Sequence, residues 1–125
     1  MSAQLQTVVI VDDDASMKEA MERLLNAAGY QSFGFACAED AMRSAESAVA
    51  TCLVLDIHLP GWSGIELYER IATTRRVPVV FITAYDDKET RDLSQQSGAA
   101  EFLVKPFEGR SLISAVQRAI GSGGE

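Results

Sequence analysis

The sequence has little with which to cross-link itself. It holds two cysteines, Cys37 and Cys52, which match no disulfide framework and no metal-ligand spacing. No apolar run approaches the roughly 18 residues that a membrane-spanning helix needs. Met1 to Gln6 lacks the basic and apolar regions of a secretory leader, so a reduced, cytoplasmic setting fits best. Cations are also scarce: 11 Lys and Arg face 18 Asp and Glu, a net charge of −7. That balance argues against a chain that grips nucleic acid itself, because phosphate binding calls for clustered Lys and Arg.

What is present is enough for one folded unit. At 125 residues the chain has the length of a single domain, able to bury roughly two thirds of its unfolded surface without staples. A hydrophobic content of 47% with 23% charged residues describes a globular rather than a disordered protein. The expected domain covers residues 1–121, with its core at about 7–120. The closing "GSGGE" is flexible by composition, either a tail over 122–125 or the start of a linker.

Two signals alternate along the chain. Short apolar runs stand at Val8–Val11, Cys52–Leu55, Val79–Ile82 and Phe102–Val104, with a weaker one at Ser32–Phe35. Helical spacing fills the intervals. Met17, Ala20, Met21, Leu24, Leu25 and Ala28 share one helix face, with Gly29 as the stop signal. Ser63 and Glu66 form an S-x-x-E capping box before Ile65, Tyr68 and Ile71. The last helix carries Leu112, Val116, Ala119 and Ile120 and is expected to end at Gly121. Five strands alternate with five helices. Strands apolar on both faces require a parallel sheet covered on both sides, which makes the fold α/β. Right-handed crossovers give a doubly wound (βα)5 three-layer sandwich, for which the flavodoxin-like strand order 2-1-3-4-5 is the expectation adopted. The fourth helix, within "DDKETRDLSQQSG", has only Leu93 as a large apolar residue and should be weakly held.

Polar residues gather at one edge of that sheet. The first strand ends in Asp12, Asp13 and Asp14, the third in Asp56, the fourth in Thr83 and the fifth in Lys105. In a parallel sheet these ends lie together, and the first and third strands are neighbours at the switch point where ligands bind. Converging carboxylates raise one another's pKa unless a cation intervenes. Lys105 supplies one charge, and the excess of hard oxygens suits Mg²⁺ before Ca²⁺. A carboxylate beside a metal can attack phosphorus and form an aspartyl phosphate, a reaction that asks for positioning and charge neutralisation. Asp56, ending the central strand, is the best-placed nucleophile.

"VVIVDDD", "LVLDIHLPGWSG", "VVFITAYDD" and "GAAEFLVKPF" together resemble the receiver domain of two-component response regulators. The likeness runs from about Thr7 to Ile120 with every motif in order. It implies that Asp56 takes a phosphoryl group from the phosphohistidine of a sensor histidine kinase. Mg²⁺, with Mn²⁺ able to substitute, would be bound by Asp13, Asp56 and the backbone carbonyl of His58, and by Asp12 through water. Lys105 would contact the phosphoryl group, and the Lys105–Pro106 bond would be cis. Thr83 and Phe102 would be the switch pair, repacking the surface of the fourth helix, fifth strand and fifth helix. His58 and Tyr85 would flank the phosphoryl group and set how fast water removes it. "GAAEFLVKPF" looks most like receivers joined to a helix-turn-helix DNA-binding domain of the LuxR or NarL/FixJ type. A phosphorylation-dependent homodimer, through that same surface or through the first and fifth helices, would fit, whereas direct nucleic-acid binding and membrane contact would not. Such a domain is a signalling switch, an enzyme only toward its own phosphorylation.

Plainer roles exist for each residue. Asp14 suits the N-cap of the first helix. Thr83 alone could be a strand-end hydroxyl, Lys105 a solvated charge, Asp56 a turn former, His58 an exposed loop side chain and Phe102 a core ring. Trp62 reads as a loop-packing residue, useful as a fluorescence reporter. Cys37 stands where a serine would cap the second helix. Two other function classes compete. Phosphatases with an aspartyl intermediate usually carry D-x-D, but Asp56 is followed by Ile57 and His58. A nucleotide binder needs a glycine-rich loop after the first strand, and none is there. A single-domain regulator or a phosphorylation-independent scaffold remains compatible.

Overall fold

The computed structural model describes residues 5–123. Five strands, β1 (Thr7–Val11), β2 (Gln31–Phe35), β3 (Cys52–Asp56), β4 (Val79–Thr83) and β5 (Glu101–Val104), form one parallel sheet in the order β2-β1-β3-β4-β5. Six helical segments connect and follow them: α1 (Ala15–Ala27), α2 (Ala38–Arg43), α3 (Ala45–Val49), α4 (Gly64–Ala72), α5 (Lys88–Gln96) and α6 (Gly109–Gly123). The expected (βα)5 alternation and strand order are present, with two local departures.

The first departure is the second crossover, which holds two short helices instead of one. Ser44 lies between them in an extended conformation, ψ 148°. Its hydroxyl donates to Ala41 C=O at 2.7 Å and accepts from Ser47 N–H at 3.1 Å. A serine that bonds its own backbone in this way offers an alternative to the helical ladder and starts a new one. The second departure is α6, which runs through Gly123 rather than ending at Gly121. Residues 124 and 125 of the expected tail lie outside the described residues.

The three inner strands are buried on both faces, and their alternation divides the core. Val9, Val11, Leu53, Leu55, Val79 and Phe81 face α2 and α4, meeting Ala38, Ala41, Leu67 and Ile71. Val8, Ile10, Cys52, Val54, Val80 and Ile82 face α1 and α6, meeting Met21, Leu25, Leu112, Ala115, Val116 and Ala119. Each fully buried aliphatic side chain contributes roughly 1.5–3 kcal/mol, so the carboxyl ends of β1, β3 and β4 project from a rigid base. α5, like the short α3, adds no apolar side chain to either cluster among the described residues, and Leu93 is 46% exposed. Its inner face is Thr90 and Ser94, which matches the weak anchoring expected from its sequence.

Helix ends follow local rules. Asp14 caps α1 by accepting Met17 N–H at 3.1 Å. After the Ala28 cap, Gly29 (φ 100°) donates to Asn26 C=O and Tyr30 to Leu25 C=O, a Schellman ending that only a residue tolerant of positive φ makes cheaply. Ser63 and Glu66 form the capping box of α4, with bonds of 3.1 and 2.9 Å. Cys37 occupies the N-cap of α2 without a side-chain bond, and both cysteines are free thiols.

Candidate functional site at the carboxyl edge of the sheet

Asp12 follows β1 directly, and its N–H donates to Phe35 C=O at 3.1 Å, extending the ladder by one rung. The side chain is therefore aimed by the strand and is fully buried. Oδ1 accepts Asp14 N–H at 2.9 Å. Oδ2 lies 2.9 Å from Lys105 Nζ but outside hydrogen-bonding geometry, leaving a buried carboxylate oxygen with no hydrogen bond. Asp56 ends β3 and is also buried; its Oδ1 accepts His58 N–H at 3.0 Å and its Oδ2 accepts from Lys105 Nζ at 3.0 Å. Asp13 is exposed, yet one oxygen from each of Asp12, Asp13 and Asp56 lies within 4.8 Å of the others.

Lys105 reaches both buried carboxylates because β5 holds it in register: Lys105 N–H donates to Thr83 C=O at 2.8 Å. The Lys105–Pro106 bond is cis. Thr83 is buried at the end of β4, its hydroxyl oxygen accepting Tyr85 N–H at 3.0 Å. One ammonium thus serves two carboxylates. Burial pushes the Asp56 carboxyl above the usual aspartate value; the hydrogen bond and charge of Lys105 and the His58 N–H oppose this, and the Asp12 charge adds to the rise. Burial alone would lower Lys105, but the two carboxylates outweigh it and its pKa is raised. Both shifts go up, Asp56 chiefly through burial and Lys105 through the two carboxylates it faces. Oxygen-only carboxylate ligands, excess negative charge and a buried Asp12 oxygen whose one close partner is the shared Lys105 ammonium fit a small hard cation.

The flanking residues also meet. The rings of His58 and Tyr85 stack edge to face with centroids 4.9 Å apart. Phe102 pairs with Phe81 across β5 and β4 and is half-buried, with the Arg91 guanidinium 4.9 Å above its ring. Trp62 packs against the α2–α4 side of the core beneath Arg70, 3.9 Å away.

Two features of the site were not read from the sequence. Glu39, in α2, accepts Trp62 N–H at 3.0 Å across 23 residues, and no local spacing reports such a contact. Gly64 lies against the Asp56 backbone, where a Cβ would come 2.2 Å from the carbonyl oxygen; the glycine of "GWSG" was its only trace. Gly64→Ala must push the strand end and α4 apart. It is expected to lower the unfolding free energy by about 2–3 kcal/mol, read as a lower midpoint in urea.

The fold and site define a class of protein. A sequence profile described as "Response regulator receiver domain" matches residues 8–117, and the chain belongs to that family. It is 34% identical over 113 residues to nodulation protein W of Bradyrhizobium diazoefficiens, covering 90% of this chain and 50% of that one. It is 31% identical to the transcriptional regulatory protein TdiR of Thauera aromatica, covering 91% and 51%. The chain therefore spans about half the length of these relatives. Among solved structures, response regulator StyR superposes with a TM-score of 0.86 at 38% identity, covering 97% of this chain and 62% of that one. Response regulator DrrB of Thermotoga maritima gives 0.86 at 28%, covering 95% and 54%.

Proposed function

We propose that Asp56 is the phosphoacceptor of a signalling switch. A carboxylate oxygen of Asp56 attacks the phosphorus of a phosphohistidine on a sensor histidine kinase. The P–N bond breaks, the imidazole leaves with its electron pair, and an acyl phosphate remains on Asp56. Asp13, Asp56 and the His58 carbonyl would hold Mg²⁺, or Mn²⁺ in its place, with Asp12 bonding through water. When bound, that ion supplies positive charge to neutralise the phosphoryl oxygens. Lys105 meets another phosphoryl oxygen as it leaves Asp56, and the Thr83 hydroxyl donates to a third. The observation that carries this reading is the convergence of Asp12, Asp13 and Asp56 within 4.8 Å, with Lys105 Nζ 3.0 Å from Asp56.

Once Thr83 turns toward the phosphoryl group, the space behind it is open to Phe102. The consequences fall on α5, β5 and α6, where α5 has the least apolar anchorage. Phosphorylation would thereby bias two conformations of that surface. Homodimerisation through α5, β5 and α6, or through α1 and α6, follows naturally. The relatives named as transcriptional regulatory proteins, of which this chain matches about half in one and a quarter in the other, favour a DNA-binding output domain. The helix-turn-helix of LuxR or NarL/FixJ regulators is the form we propose. A cytoplasmic setting is part of this proposal, because that is where a kinase donor of this kind would meet the domain.

The test is intact mass after incubation with acetyl phosphate. Gain of one phosphoryl group with Mg²⁺, abolished by a chelator, supports the reading. Metal-dependent quenching of Trp62 without any mass gain would leave a metal-binding scaffold instead. The His58–Tyr85 pair gives a further expectation. His58→Ala and Tyr85→Ala each open a path for water and change the dephosphorylation rate several-fold. Unchanged decay of the phosphoprotein in both variants would remove them from the site.

A further inference from the structure

The loop from Ile57 to Ser63 carries the His58 carbonyl that the proposed function gives to the metal. Most of its hydrogen bonds stay close to home. His58 N–H donates to Asp56, Ser63 N–H to Glu66, and Gly64 N–H returns to Ile57 C=O at 3.1 Å. Among the described residues, a single bond ties residues 58–63 to an element other than β3 or α4, and it is Trp62 N–H to Glu39 Oε2 at 3.0 Å.

That bond is built from both sides. Glu39 lies in the first turn of α2, and the Trp62 N–H is the leading reason its carboxyl sits below the ordinary glutamate value. It is therefore ionised at neutral pH and the contact is charge-assisted. On the loop side, Gly61 adopts φ 76°, and a Cβ there would come 2.5 Å from the same Glu39 oxygen. Glycine permits both the turn and the close approach of the carboxylate. Arg70 covers the Trp62 ring at 3.9 Å, closing the outer limb of the loop from its other side.

We infer that Glu39 is a positioning residue for the metal centre, holding Trp62 and through it the loop that presents the His58 carbonyl. The inference rests on the metal reading above. A divalent ion of small radius tolerates little error in ligand placement, and a loop that must be ordered on binding loses affinity by the cost of that ordering. Loosening the loop should thus weaken metal binding even though Glu39 touches no metal ligand.

The experiment uses the whole chain with Mn²⁺ as probe, counting free Mn²⁺ by its EPR signal and competing with Mg²⁺. Glu39→Ala is expected to raise the Mn²⁺ dissociation constant about tenfold. The Mg²⁺ concentration that half-saturates phosphoryl uptake should move by the same factor. Glu39→Gln keeps an acceptor oxygen and should recover most of the affinity. Gly61→Ala, which displaces the carboxylate from the other side, should reproduce the Glu39→Ala shift. A wild-type constant in Glu39→Ala overturns the inference. Equal loss in Gln and Ala also overturns it, by showing a distant charge effect rather than positioning. Wild type that binds no Mn²⁺ overturns the metal reading and this inference with it.

Discussion

Asp56→Asn is expected to take up no phosphoryl group from acetyl phosphate at any Mg²⁺ concentration, while the metal-free domain becomes harder to unfold. The two effects have one cause. Asp56 is buried and shares the Lys105 ammonium with Asp12, so its negative charge is under-compensated and its pKa is raised, chiefly by burial. An acid raised in the folded state stabilises the fold when protonated. That contribution is present below the ordinary aspartate value near ~3.9 and is lost as pH rises through the higher folded value. Asparagine carries no charge to lose. The variant should exceed wild type by on the order of 1 kcal/mol at pH 7, a few degrees in Tm, and the margin should shrink toward pH 4. Urea unfolding in the presence of a chelator, at both pH values, measures it. A variant less stable than wild type at pH 7 would mean that the Lys105 contact outweighs the burial of the charge, and the account of the site would have to be reversed.

Lys105→Met should have the opposite effect on stability and a large one. Lys105 Nζ stands 2.9 Å from Asp12 Oδ2 and 3.0 Å from Asp56 Oδ2, with its side chain 18% exposed. Methionine keeps much of the aliphatic stem but leaves two buried carboxylates facing each other. Removing one partner of a buried ion pair costs about 3 kcal/mol or more, and the remaining solvent contact of Lys105 places this site at the low end. The raised pKa of Lys105 means that its contribution is present below the ordinary lysine value and disappears as pH climbs through the folded one. The gap between wild type and variant should therefore close at strongly alkaline pH. Mg²⁺ should narrow it at neutral pH as well. The emptier, more negative site binds the cation more tightly, and binding to the folded state alone adds about 2.7 kcal/mol at a hundredfold excess over Kd. Thermal unfolding with and without Mg²⁺ distinguishes the cases: an equal Mg²⁺-induced rise in both proteins would show that Lys105 and the metal do not share the site.

Much of this arrangement is legible in the chain because it is built from short-range rules. The run Val8–Val11 before Asp12 is a strand buried on both faces, and the same pattern at Cys52–Leu55 and Val79–Ile82 sets a parallel sheet with its polar ends on one edge. Asp14 as a cap and Ser63 with Glu66 as a capping box act within one helical turn, so spacing alone finds them. The failures mark the limit of such rules. Ser44 breaks the second crossover through two local hydrogen bonds that a serine in a helical pattern does not announce. Gly29 ends α1 whereas Gly121 does not end α6. Gly29 is followed by Tyr30, which packs on the core and completes the Schellman ending.

The sequence by itself determined the parallel α/β class and the edge on which Asp12, Asp13, Asp56, Thr83 and Lys105 meet, because both follow from periodicity and from residues at strand ends, and its motifs carried the resemblance to the receiver family. Only the tertiary structure decided how the charges share one another. It gave Lys105 two carboxylates, brought the rings of His58 and Tyr85 together and joined Glu39 to Trp62. Those contacts span tens of residues, and their geometry comes from packing two layers of helices on a sheet, which no local spacing encodes.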